Sequence, residues 1–275
     1  MPRLKVVLTN SAVPLHVEAA QVFAGLDVDF VTVDASSEDE LLRLAGDADA
    51  VIALAEPLSR RVVEGLPLCR SITRFGIGLD GVDIAAATEH GIWVTNVPDS
   101  NYREVAVHAI TLALSVSRRI PRLNHAMHQN GAASLALAAG TRRPDDQTFG
   151  LLGMGRIGRR VAAMAAAIGY RVQAFDPAVS WADASALGVT LVSFDELMTT
   201  SDILSLHVPL LDSTRNIVSI GMFSGTEKRE EEHFSGMKAG ARPDIDHGRE
   251  ADHFTFTICR LLHAGRSFAN RALVT

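Results

Sequence analysis

LLGMGRIGRR, residues 151–160, decides the fold. Apolar residues run into three glycines, Gly153, Gly155 and Gly158, and then into a helical alternation, which reads as a strand ending in a tight turn that opens a helix. Each glycine has its own task. The first permits the turn, the second lets backbone approach a pyrophosphate, and the third lets the helix pack closely on the strand. The N–H groups of Arg156 and Ile157, at the positive end of that helix, then face the phosphates. The alternative is a glycine turn used only for packing, and the context separates the two. RVQAFDP, residues 171–177, reads as the next strand and ends in Asp176. An acid roughly 20 residues after the third glycine accepts hydrogen bonds from the adenosine ribose and repels a 2′-phosphate. The stretch therefore predicts a dinucleotide site that favours NAD over NADP.

Working outward, short β-branched runs alternate with amphipathic stretches, the pattern of parallel strands joined by crossover helices. Before the glycine turn, LKVVLTN, VDFVTV, DAVIAL, SITRFGIG and IWVTNVP read as strands, and HVEAAQVFAG, SEDELLRLAG and SRRVVEGLP as the helices between them. They make a complete α/β domain over residues 1–98. Residues 99–275 form the second domain, which opens on one long helix from Asn101 to Ile120 with Val105, Ala109, Leu112 and Val116 at helical spacing. Residues 121–148 read as irregular, with TRRPDDQ crossing the surface.

Composition narrows the function classes. The 275 residues are 47% hydrophobic, enough for two cores. A net charge of -6 with scattered basic residues gives no general attraction to nucleic acid or to anionic membranes. The apolar run of MPRLKVVLTN is too short for a secretory signal, and no segment reaches the roughly 18 apolar residues of a membrane span. The expected location is cytoplasmic. Cys69 and Cys259 lack metal or redox spacing and read as structural thiols.

Four blocks, in order, resemble the D-isomer-specific 2-hydroxyacid dehydrogenases, and within them the C-terminal-binding-protein-like branch. They are FGIGLDGVD (75–83), GIWVTNVPDSNYREVAVHAITLAL (91–114), GLLGMGRIGRRVAAMAAAIGYRVQAFDP (150–177) and SDILSLHVPLLDSTRNIV (201–218). The resemblance runs from about residue 3 to about residue 220. It implies a flavodoxin-like substrate domain followed by a Rossmann, doubly wound parallel-sheet NAD-binding domain. It also implies hydride transfer between the nicotinamide and a small 2-hydroxy or 2-keto acid.

Position by position, the resemblance implies that Ile77 and Gly78 offer backbone N–H groups to the substrate carboxylate, against the alternative of a loop kept small for packing. His207, Val208 and Pro209 correspond to the stretch lining the cofactor cleft, so His207 is not the catalytic base. Thr214 corresponds to a threonine near the cofactor, with a helix-start role as the alternative. The apolar-faced helix at 102–119 and the loop after it point to a homodimer.

After residue 220 the pattern departs. GMFSGTEKREEEHFSG reads as a solvated insertion, MKAG (237–240) recovers the motif, and ARPDIDHGRE stands where an apolar strand is expected. Arg249 falls at the catalytic arginine's position, with a surface arginine as the alternative. The Glu and His that complete the family's acid–base pair are expected roughly thirty and fifty residues after that arginine, beyond Thr275. None of His233, His247, His253 or His263 sits in a recognisable Glu-supported motif, and a metal site from Asp244, Asp246 and His247 is the weaker reading of that segment. The NAD-binding domain is therefore expected to be incomplete at its C-terminus. A non-catalytic NAD-binding or interaction protein, or a truncated remnant, stands as the alternative to a dehydrogenase.

Overall fold

Five β-branched runs in the first hundred residues pair side by side: β1 (Leu4–Thr9), β2 (Val28–Val33), β3 (Ala50–Ala53), β4 (Ser71–Arg74) and β5 (Trp93–Asn96). The computed structural model describes residues 3–9, 20–54, 56–211 and 213–218, and the backbone of 256–259, 262–263, 266–267 and 271–273. It divides into two units, Met1–Asn101 and Tyr102–Thr275.

In the first unit all strands are parallel, in the order β2-β1-β3-β4-β5. This is the flavodoxin-like order, in which ligands meet the carboxyl ends of the strands. Val7, Val51 and Ile72, register partners on one face of the sheet, pack with Leu41, Val62 and Ala86 of the covering helices. These helices are α1 (Glu38–Ala45), α2 (Arg60–Glu64) and α3 (Ile84–Glu89). Each starts at a side-chain cap: Ser37 accepts from Glu40 N–H, Ser59 from Val62 N–H and Asp83 from Ala86 N–H. Of the expected first helix, HVEAAQVFAG, residues 16–19 lie outside the described residues. The strand expected at 71–78 stops at Arg74, where Gly76 N–H turns back on the Arg74 carbonyl at 2.9 Å, and the one expected at 92–98 stops at Asn96, where Val97 N–H donates to the Gly76 carbonyl at 3.0 Å.

The second unit corrects the reading of 101–148. Instead of one long helix followed by an irregular stretch, α4 (Tyr102–Ser117) ends, and α5 (Ile120–Asn130) starts after Arg119 in the left-handed region at φ 58° with Pro121 in its first turn. A proline at a helix's first positions loses no intrahelical bond, which lets the sequence restart what Arg119 breaks. Ala106, Ala109 and Ala113 turn inward from α4. TRRPDD is fastened to the sheet, since Arg142 pairs with Asp202, whose other carboxylate oxygen takes Thr148 N–H at 2.8 Å.

Then follow β6 (Thr148–Leu152), α6 (Arg156–Ile168), β7 (Arg171–Phe175), α7 (Trp181–Ala186), β8 (Thr190–Leu191), α8 (Phe194–Thr200) and β9 (Ile203–Leu206). The order β9-β6-β7-β8 is parallel, as a Rossmann sheet requires. Beyond β9 the neighbouring strand runs the other way. The tail supplies β10 (Phe256–Cys259), β11 (Leu262–His263), β12 (Arg266–Ser267) and β13 (Arg271–Leu273), and β10 pairs antiparallel with both β9 and β13. An antiparallel neighbour needs no crossover helix. The insertion at 221–236, MKAG and ARPDIDHGRE lie outside the described residues, as does Arg249.

Candidate functional site

The glycine turn joins β6 to α6 and is held from three directions. Gly153 N–H donates to the Phe175 carbonyl at 3.0 Å, Met154 N–H to Asp176 Oδ2 at 2.7 Å, and Arg159 Nε to the Met154 carbonyl at 3.0 Å. The glycines divide their tasks by what a side chain would meet. At Gly153, φ is +95° and a Cβ would lie 2.7 Å from the His207 carbonyl oxygen. At Gly158 it would lie 2.2 Å from the Gly153 carbonyl oxygen, so the third glycine packs the helix on the turn itself rather than on the strand. At Gly155 it would meet nothing within 4 Å. Gly155 is also the N-cap of α6, makes no side-chain cap, and is followed by a first turn without an acidic residue. The open space lies at Gly155, and Arg156 and Ile157 follow it in the first turn, at the positive end of the helix dipole. That arrangement fits a pyrophosphate.

Asp176 stands at the end of β7 with its carboxylate engaged: Oδ2 by Met154 N–H and Oδ1 by Ala178 N–H at 2.9 Å. Each oxygen of a carboxylate accepts about two hydrogen bonds, so each keeps capacity for a ribose hydroxyl. Spacing alone gave Asp176, whereas its grip on the glycine turn arises from the approach of β7 to β6.

His207 lies where β9 ends. Its N–H donates to the Leu152 carbonyl at 2.7 Å, and its Nε2 shares a hydrogen bond with Ser205 Oγ at 2.9 Å. Its Nδ1 is shut from water without a hydrogen-bond partner. Burial pushes the imidazole down from 6.5 to about 4, so it is neutral at pH 7. Below pH 6.5 the unfolded chain takes up a proton that the folded one refuses until about pH 4, so stability is full above 6.5 and is lost as pH falls through that window. Between pH 7 and 5, wild type should lose on the order of 2 kcal/mol relative to His207→Gln. Urea unfolding of the two at both pH values checks this, and parallel profiles would contradict it. Val208 packs against the glycine turn and the cluster of Leu152 and Leu197, and Pro209 is exposed. The Thr214 hydroxyl is committed locally, donating to the Pro209 carbonyl and accepting Leu211 N–H.

In the first unit, the loop after β4 carries Ile77 and Gly78. Its carbonyls are tethered: Gly76 by Val97 N–H at 3.0 Å and Ile77 by Asn96 Nδ2 at 2.7 Å. The N–H groups of Ile77 and Gly78 donate to no acceptor among the described residues. Arg74, at the root of this loop, has Nε and Nη1 buried without hydrogen-bond partners. The residue as a whole is half-buried, so a guanidinium stands at the root of a loop that carries two free donors. Neither Arg74 nor Asn96 stood out in the sequence. They share a register position across β4 and β5, which no local spacing reveals. Among the described residues no three His, Cys, Asp or Glu side chains gather as a metal site needs, and no described helix is long and apolar enough to cross a membrane.

Residues 110–230 match the family profile described as D-isomer specific 2-hydroxyacid dehydrogenase, NAD binding domain. Hydroxypyruvate reductase of Thermotoga maritima is 35% identical over 207 residues, covering 75% of this chain and 66% of that protein. The chain belongs to the D-isomer-specific 2-hydroxyacid dehydrogenase family. Another family relative, D-3-phosphoglycerate dehydrogenase of Mycobacterium tuberculosis, is 35% identical over 195 residues, 70% of this chain. The chain spans 37% of the length of that relative. The fold of the family recurs in the solved D-lactate dehydrogenase of Aquifex aeolicus complexed with NAD and lactic acid. It has a TM-score of 0.70 at 25% identity, over 80% of this chain and 65% of that one. The NAD-dependent formate dehydrogenase of Staphylococcus aureus, in complex with NAD, has a TM-score of 0.69 at 27% identity, over 80% and 70%.

Proposed function

We propose that this family member is an NAD-dependent oxidoreductase that moves a hydride between the nicotinamide and C2 of a small 2-hydroxy or 2-keto acid. The observation that carries the cofactor half is the open space at Gly155, on a turn whose other two glycines are packed tight. Gly153, Gly155, Arg156, Ile157 and Gly158 would hold the pyrophosphate, and Asp176 the adenosine ribose. His207, Val208, Pro209 and Thr214 would line the rest of the cofactor's path, with His207 neutral at physiological pH. The cofactor, when bound, supplies the hydride acceptor or donor. The chain supplies binding and orientation.

For the acid, the free N–H groups of Ile77 and Gly78, with the Arg74 guanidinium at the loop's root and its Nε and Nη1 without hydrogen-bond partners, support a carboxylate at the loop after β4. Relatives named for hydroxypyruvate, phosphoglycerate and lactate share that carboxylate beside a 2-hydroxy or 2-keto carbon. Arg249 is assigned to the same carboxylate by the family resemblance alone.

Calorimetric titration tests the cofactor assignment. A carboxylate within about 4 Å of a 2′-phosphate costs on the order of 1 to 4 kcal/mol in a partly screened site, so NADH should bind at least about tenfold more tightly than NADPH. Equal or tighter NADPH binding would contradict it. The proposal includes a homodimer, supported by apolar side chains left open on and after α4 and α5: Val107 (51% exposed), Ile120 (52%), Met127 (49%) and Leu135 (90%). Light scattering that gives the mass of one chain would oppose it.

A further inference from the structure

Successive carbonyls of an extended chain point to opposite sides, yet those of Gly76 and Ile77 are both drawn toward the end of β5. Val97 N–H holds the first at 3.0 Å and Asn96 Nδ2 the second at 2.7 Å. Both peptides are trans, as are all those of the described residues. In a planar trans peptide the N–H points opposite to its own carbonyl. The N–H of Ile77 belongs to the peptide whose carbonyl is Gly76, and the N–H of Gly78 to the peptide whose carbonyl is Ile77. Two tethers on one side therefore turn two donors out on the other, which makes an anion-binding concavity. The remainder of the loop is pinned independently. Phe75 N–H donates to the Ala53 carbonyl at 2.8 Å, Val82 N–H to Leu79 at 3.0 Å, and Leu58 N–H to Gly81 at 2.7 Å. What is left to rotate is the Ile77–Gly78 peptide, and only a side chain restrains it.

We propose that Asn96 is a positioning residue for the substrate carboxylate: by donating to the Ile77 carbonyl it aims the Gly78 N–H at the carboxylate, while the backbone of Val97 aims the Ile77 N–H. This rests on the assignment of that loop to the acid. An amide serves here because its NH2 donates to a carbonyl, whereas the isosteric carboxylate of an aspartate, when ionised, only accepts. Asn96→Asp replaces an attraction for the Ile77 carbonyl by a repulsion, so the peptide turns and Gly78 N–H swings away.

The test uses the full chain, saturated with NADH and labelled with 15N, and titrated with oxamate as the carboxylate probe. In wild type the amide resonances of both Ile77 and Gly78 should shift saturably. In Asn96→Asp the Gly78 response should vanish and the Ile77 response persist, with oxamate affinity about 10- to 100-fold weaker and NADH affinity and urea midpoint unchanged. General damage to the fold would move both amides together. If Asn96→Asp does not fold, Asn96→Ala, which removes the donor without adding charge, carries the same expectation. An unchanged Gly78 response, or equal loss at Ile77 and Gly78, overturns the role of Asn96 and leaves the loop's assignment intact. No response at either amide in wild type overturns both.

Discussion

Gly158→Ala is expected to cost the second unit about 3 kcal/mol of stability or more, whereas Gly155→Ala costs under about 1 kcal/mol. The two glycines stand three positions apart in one motif, and their sequence context makes them look alike. They differ in what surrounds them. A methyl on Gly158 would sit 2.2 Å from the Gly153 carbonyl oxygen, backbone against backbone, so relief requires moving α6 off the turn. A methyl on Gly155 meets nothing within 4 Å. Urea unfolding followed by far-UV circular dichroism measures both. Similar losses for the two variants would mean that the turn is not packed as described.

The second large effect has the opposite character. Gly155→Leu should leave the fold nearly as stable as wild type while lowering NADH affinity by at least about 100-fold, or about 2.7 kcal/mol. The branched side chain would project into the space assigned to the pyrophosphate and cover the N–H groups of Arg156 and Ile157, while its Cβ meets nothing within 4 Å. Fluorescence titration with NADH reads the affinity, and unfolding reads the stability. Loss of both together would make Gly155 a packing glycine. Loss of neither would remove the phosphate site from this turn.

Much of this architecture was legible in residue order because it rests on local signals. Short β-branched runs gave β1 to β5, and the apolar run into the glycines and RVQAFDP gave β6 and β7. The glycine spacing gave the turn and α6, and the acid at the end of β7 gave Asp176. The misreadings came where the deciding interaction is distant or conformational. Arg119 adopts a left-handed conformation that few non-glycine residues take, so the apolar periodicity of 102–119 ran on past a break that only the backbone reveals. Residues 256–259 carried no reading, since the antiparallel seat of β10 beside β9 depends on a pairing across roughly fifty residues, for which composition holds no sign. Arg74 and Asn96 matter because β4 and β5 lie in register and put both at the foot of one loop. Asp176 was found by spacing, but its bond to Met154 N–H, which makes the acid part of the turn, follows from strand order.

In the proposed site NAD(H) sits on the turn between β6 and α6 beside Asp176. Hydrogen exchange of the wild-type chain with and without saturating NADH tests it most directly, because slowed exchange maps where backbone N–H groups become engaged or shielded. Protection should concentrate at residues 153–158, with a second patch at 176–178 and a third at 207–209. NADH binding that leaves 153–158 unprotected, or that protects another part of the chain instead, would contradict the account.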